Sequence, residues 1–99
     1  MNYTVLRTQI FDDWLKSLKD DQARGSIAAR VQRLTRGLTG DVESVGSGIS
    51  ELRIHVGKGY RVYYKLRGKE VIVLLCGGNK KTQPKDIAQA KELAKEFGL

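Results

Sequence analysis

The chain has one cysteine, one histidine and one proline, and each scarcity closes off a class of protein. A lone Cys76 has no partner for an intramolecular disulfide, so this is not a disulfide-stapled secreted domain. The set fits a reducing cytosol. One histidine and one cysteine cannot assemble the usual Cys/His zinc site, and no metal or cofactor is expected. No apolar run approaches the roughly 20 residues of a membrane span, so no membrane partner is expected. The opening "MNYTVLRTQIFDDW" lacks a basic start followed by an apolar core and does not read as a signal peptide. A cytoplasmic protein is the expectation. The 99 residues are enough for one hydrophobic core but not for two, so a single domain over 1–99 is expected.

Acid is also scarce, and unevenly so. Lysine and arginine number 18 against 11 aspartates and glutamates, for a formal charge of +7 and a pI near 9.8. From Leu52 to Lys85 there are nine basic residues and a single acid, Glu70. Solvating charge usually mixes signs, as "KDIAQAKELAKEF" does here. A one-signed block argues for a polyanionic partner.

The periodicities outline the fold. "YTVLRT" has strand composition. In "IFDDWLKSLKDD", Phe11, Trp14, Leu15 and Leu18 share one helical face. From Asp21 to Leu38 a second helix is expected, with Ile27, Val31, Leu34 and Leu38 in one stripe and Gly37 and Gly40 as its stop. The short join between the two makes an antiparallel helical hairpin. A short strand at 41–45 precedes a switch to period two. Leu52, Ile54 and Val56 alternate with Glu51, Arg53 and His55. After the turn "GKG", Tyr60, Val62, Tyr64 and Leu66 alternate with Arg61, Tyr63, Lys65 and Arg67. "VIVLLC", residues 71–76, is apolar throughout, as in a central strand covered on both faces. Pro84 suits the first turn of a last helix, whose apolar face is Ile87, Ala90, Leu93, Ala94 and Phe97. The class is α+β. A twisted, antiparallel-rich sheet carries an N-terminal helical hairpin on one face, with a C-terminal helix after it. With the helices on one face, the other face is expected to be open.

That alternation puts Arg53 and His55 beside Arg61, Tyr63 and Lys65 on the polar face, with Lys80 and Lys81 arriving at its rim. Such a surface can hold phosphates through Lys and Arg and stack a base on Tyr63. If it is catalytic, the natural reaction is RNA cleavage, in which fixed cations stabilise the charge of the transition state. No Walker motif, serine triad or carboxylate pair competes with this reading.

In their order, "SELRIHVGKGYRVYY", "VIVLLCGGNKKTQ" and "DIAQAKELAKEF" resemble the RelE/ParE superfamily of type II toxin–antitoxin toxins. They resemble most its HigB-like, addiction module killer branch. The resemblance implies a RelE-like fold and a metal-independent endoribonuclease, an mRNA interferase that cuts mRNA on the ribosome. It also implies neutralisation by an antitoxin, commonly a helix-turn-helix protein, with operator DNA contacted only through the complex. Arg61 matches the family's strand arginine at the scissile phosphate. Arg53 and His55 fall where relatives carry basic groups, and Lys80 and Lys81 match the basic pair after the central strand. Lys58, Tyr63, Lys65 and Lys85 are the expected RNA-binding set. The tyrosine that RelE-type members place after the basic pair is missing from "TQPKDIAQA". Either Tyr63 substitutes for it or the cations act alone. ParE-like relatives implied by the same resemblance inhibit DNA gyrase without cutting RNA.

Overall fold

A computed structural model describes residues 2–99. Its elements are β1 (Thr4–Arg7), α1 (Gln9–Ser17), α2 (Asp21–Leu34), β2 (Val42–Ser44), β3 (Ile49–Ile54), β4 (Tyr60–Arg67), β5 (Val71–Asn79) and α3 (Gln83–Glu96). A single 3₁₀ turn, Lys80–Thr82, links β5 to α3. The sheet order is β1-β5-β4-β3-β2. All pairings are antiparallel except β1 with β5, which follows the long return from the first strand to the last.

The helices lie on both faces, not one. Phe11 of α1 and Ala23, Ile27, Val31 and Leu34 of α2 pack with Leu52, Ile54, Tyr60, Val62, Tyr64, Ile72 and Leu74. On the opposite face, Ala90, Leu93 and Ala94 of α3 pack with Ile49, Tyr63, Val73, Leu75 and Cys76. The expectation of an open polar face is therefore corrected. An unbroken apolar β5 has two faces to cover, and α3 covers the second.

Strand β5 changes phase to achieve this. Tyr63 is opposite Cys76 but Tyr64 is opposite Leu74, so Leu75 is an extra residue in the ladder. This bulge turns both Leu75 and Cys76 toward α3. The Thr8 hydroxyl donates to the Leu75 carbonyl at 2.6 Å and also caps α1 through the Phe11 amide. Two glycines follow the bulge, one on each face. A Cβ on Gly77 would lie 2.3 Å from the Trp14 ring, and one on Gly78 would lie 1.7 Å from the Asp86 carboxylate. The pair lets α1 and α3 close on β5 from either side.

Two helix ends differ from the periodic reading. Helix α2 stops at Leu34, with Thr35 as its C-cap and Gly37 at φ 77°, so Leu38 lies outside it and is half exposed. Phe97 is the C-cap of α3 and is likewise exposed rather than on its buried stripe.

Candidate functional site

Three of the side chains expected on an open surface, Arg53, Arg61 and Tyr63, form instead a partly buried polar cluster between β3, β4 and the start of α3. Register sets it up: Glu51 is opposite Tyr63, and Arg53 is opposite Arg61. Two arginines directly across a ladder repel. The Glu51 carboxylate, wholly buried, offsets them. One of its oxygens accepts from Arg53 Nε at 2.9 Å. The other accepts from the Tyr63 hydroxyl at 2.9 Å and from Gln83 Nε2, at the start of α3, at 2.7 Å. Burial pushes the Glu51 carboxyl up, but the bonds from Arg53, Gln83 and Tyr63 outweigh it and hold the group below its ordinary range.

Arg61 stands apart within this cluster. Its Nε lies 3.8 Å from Glu51 Oε2, close enough for an ion pair but too far for a hydrogen bond. Among the described residues it is the one buried side-chain polar atom without a hydrogen-bond partner. The guanidinium tip reaches the end of the sheet. A Cβ on Gly59 would sit 3.8 Å from Arg61 Nη1 and 3.8 Å from Lys80 Cβ. The Lys80 amide donates to the Gly59 carbonyl at 2.9 Å, which holds the 3₁₀ turn against the β3–β4 turn. Asn79 caps that turn by accepting from the Lys81 and Thr82 amides. Arg61 and Lys80 thus meet at one rim, with exposed Lys58 and Lys81 on the adjoining turns.

The other expected residues are not brought to this rim. Tyr63 is fully buried beneath α3, where burial and the Glu51 carboxylate push its phenol well above the usual range. Its ring presents no face on which a base could stack, so its expected stacking role is corrected. His55 lies past the end of β3 and bonds Asp41 at 2.5 Å, beside a cleft lined by Arg30 and Arg33. That bond holds the Asp41 carboxyl below its ordinary value. Arg53 is anchored by Glu51 and also pairs with Glu43. Lys65 is four residues along β4 from Arg61, roughly 13 Å at strand rise, and lies across Gly48. Lys85 is exposed in the first turn of α3.

Sequence reasoning missed Glu51 and Asp86. They are the residues immediately before and after the acid-poor Leu52–Lys85 block. Asp86 is buried against Gly78 and accepts from the Thr82 hydroxyl. The visible signal for Glu51 was a carboxylate on a strand that otherwise alternates apolar with basic. Arg30 of α2 donates to the Arg53 and Thr39 carbonyls at 2.6 and 2.9 Å and ties that helix to the end of β3.

The architecture is that of RelE. A free-state structure of an Escherichia coli toxin RelE mutant aligns over 93% of this chain and 97% of its own, with TM-score 0.75 and 13% identity. The RelBE2 toxin–antitoxin complex of Mycobacterium tuberculosis aligns over 81% of this chain and 100% of the matched chain, with TM-score 0.65 and 19% identity. Within that fold, residues 13–97 match the family described as phage derived protein Gp49-like (DUF891), and the chain belongs to it. An uncharacterized protein of Haemophilus influenzae is 52% identical over 99 residues, 100% of both chains. No helix among the described residues is long and apolar enough to cross a membrane.

Proposed function

We propose that this protein is the toxin of a type II toxin–antitoxin module and an endoribonuclease that cuts mRNA on the translating ribosome. The observation that carries the reading is the state of Arg61. A buried carboxylate fixes it electrostatically without taking a hydrogen bond from its Nε, and its tip lies at a lysine-lined rim. A guanidinium held this way is preorganised for a phosphate. Its planar fork matches two phosphate oxygens, and the charge is in place before the transition state forms. The fold shared with the toxin RelE and with the RelBE2 toxin–antitoxin complex supports the same reading.

In this account a ribose 2′-oxygen attacks the adjacent phosphorus. The bond to the 5′-oxygen breaks, and a 2′,3′-cyclic phosphate and a 5′-hydroxyl result. Arg61 and Lys80 stabilise the charge that gathers on the non-bridging oxygens. Lys58 and Lys81 hold the flanking backbone, and Lys85 extends that track along α3. Arg53 acts through Glu51, which it keeps ionised beside Arg61. A cytoplasmic helix-turn-helix antitoxin that covers this rim silences the protein, and the pair meets operator DNA through the antitoxin.

The test is a purified bacterial translation system with new 5′ ends mapped by primer extension. Cuts in phase with codons, present only when ribosomes are present, are expected. Folded, antitoxin-free protein that leaves the message intact but blocks DNA supercoiling would replace this reading with gyrase inhibition.

A further inference from the structure

A cleft of about 470 Å³ opens on the other side of the rim from Arg61, between the α1–α2 connection and the β3–β4 turn. Its size falls within the roughly 300–1,000 Å³ of ligand sites. Leu18 and Tyr60 supply its apolar surface, and Asp20, Lys58 and Asn79 its polar edge. The cleft and Arg61 share one wall. Lys58 and Gly59 are consecutive in the turn, as are Asn79 and Lys80 at the end of β5. Gly59 is the residue against which Arg61 Nη1 and Lys80 close.

We infer that this cleft seats the base of a nucleotide next to the phosphate held by Arg61, and that it selects a base with an exocyclic amino group, guanine above all. The inference rests on the endoribonuclease reading and adds a base-specific subsite to it. An apolar floor with a polar edge is what an unstacked RNA base needs, and single-stranded RNA is read in this way. The polar edge has a definite sense. Asp20 Oδ1 caps α2 through the Ala23 amide at 3.1 Å. Its Oδ2 faces the β3–β4 turn, where a Cβ on Gly57 would lie 3.3 Å away. A carboxylate oxygen accepts only. Asn79 uses Oδ1 on the Lys81 and Thr82 amides, so the group it offers is its amide nitrogen, a donor. Guanine meets this pair with N1–H and the amino group toward Asp20 and O6 toward Asn79. Uracil offers a single N–H between two carbonyl oxygens, and one of these would face the carboxylate. Lys58 is placed for the phosphate that joins the base to its neighbour.

Nuclear magnetic resonance separates this from the function it builds on. Guanosine 5′-monophosphate, uridine 5′-monophosphate and ribose 5-phosphate are titrated into the full chain. The amides of Gly57, Lys58 and Asn79 and the indole of Trp14, which packs edge-on to Tyr60 at 6.5 Å, report the cleft. The guanine nucleotide is expected to bind at least 10-fold more tightly than the other two. Ser17→Phe, at an exposed position on the cleft wall, should remove that preference while the remaining spectrum stays folded. Arg61→Ala should keep it. Equal binding of all three ligands, or a preference that survives Ser17→Phe, would overturn the subsite. Wild-type protein that cuts mRNA without base preference in the titration refutes the subsite alone. Guanine-selective binding by protein that never cuts supports the subsite and refutes the nuclease.

Discussion

Glu51 and Arg61 face each other diagonally across β3 and β4, with Nε 3.8 Å from the carboxylate and no hydrogen bond between them. Three other donors bond that carboxylate: Arg53, Tyr63 and Gln83. It therefore joins strand to strand and sheet to α3 while holding the Arg61 charge in place. Removing the charge leaves two arginines opposed across a ladder with no buried counter-ion. Glu51→Gln should cost about 3 kcal/mol, the scale of breaking one side of a buried pair. Urea unfolding measures this, and a change below about 0.5 kcal/mol would mean the carboxylate does not organise the cluster.

The same group sets an acid limb to stability. Its folded pKa is depressed, so the unfolded chain binds the proton more readily. Its stabilisation is fully present above the ordinary carboxyl value of 4.5 and is lost as pH falls through the depressed folded value. Thermal midpoints followed from pH 6 down to pH 3 should fall, and should fall less steeply in Glu51→Gln. Parallel curves would assign the acid sensitivity to other groups.

Gly77 gives a test of how α1 is seated. A methyl group there meets the Trp14 ring at 2.3 Å on one side of β5. Gly77→Ala should destabilise the protein by about 1–3 kcal/mol, the range for overpacking a core. Trp14 emission should shift as the ring moves outward. A variant as stable as wild type, with unchanged emission, would mean the helix is not seated by this contact.

Tyr63→Phe separates a structural hydroxyl from an RNA contact. The ring is buried, and its hydroxyl serves Glu51. The variant should lose about 1–2 kcal/mol of stability while cutting mRNA within about threefold of wild type. A loss of 100-fold or more in a folded variant would return Tyr63 to the reacting groups.

Much of the fold was legible because its signals are local. Phe11, Ile27, Val31 and Leu34 fall on helical stripes. Leu52, Ile54, Val62 and Tyr64 alternate, and Val71–Cys76 reads as a covered strand. The order of strands, helical hairpin, sheet and last helix followed from these. What lay hidden depends on contacts distant in sequence. The bulge at Leu75 has no composition of its own, and the glycines after it acquire meaning only from Trp14 and Asp86 on opposite faces. Period two put Arg53, Arg61 and Tyr63 on the correct face but could not say that α3 covers it. Glu51 and Asp86 flank the acid-poor block, so counting charge along the chain missed the two carboxylates that the sheet and α3 bring inside. His55 and Lys65 share the face or strand of Arg61 in pattern, yet the end of β3 and the length of β4 take them elsewhere.

The central claim is that Arg61, held by Glu51, grips the phosphate that is cut. Its most direct measurement is the single-turnover cleavage rate of a message in programmed ribosomes, for wild type and Arg61→Ala side by side. The account predicts a loss of at least about 100-fold, the scale of removing a preorganised charge-stabilising group, from a variant that still shows the wild-type two-dimensional amide spectrum away from β4. A folded Arg61→Ala protein that cuts within a few-fold of the wild-type rate would contradict it.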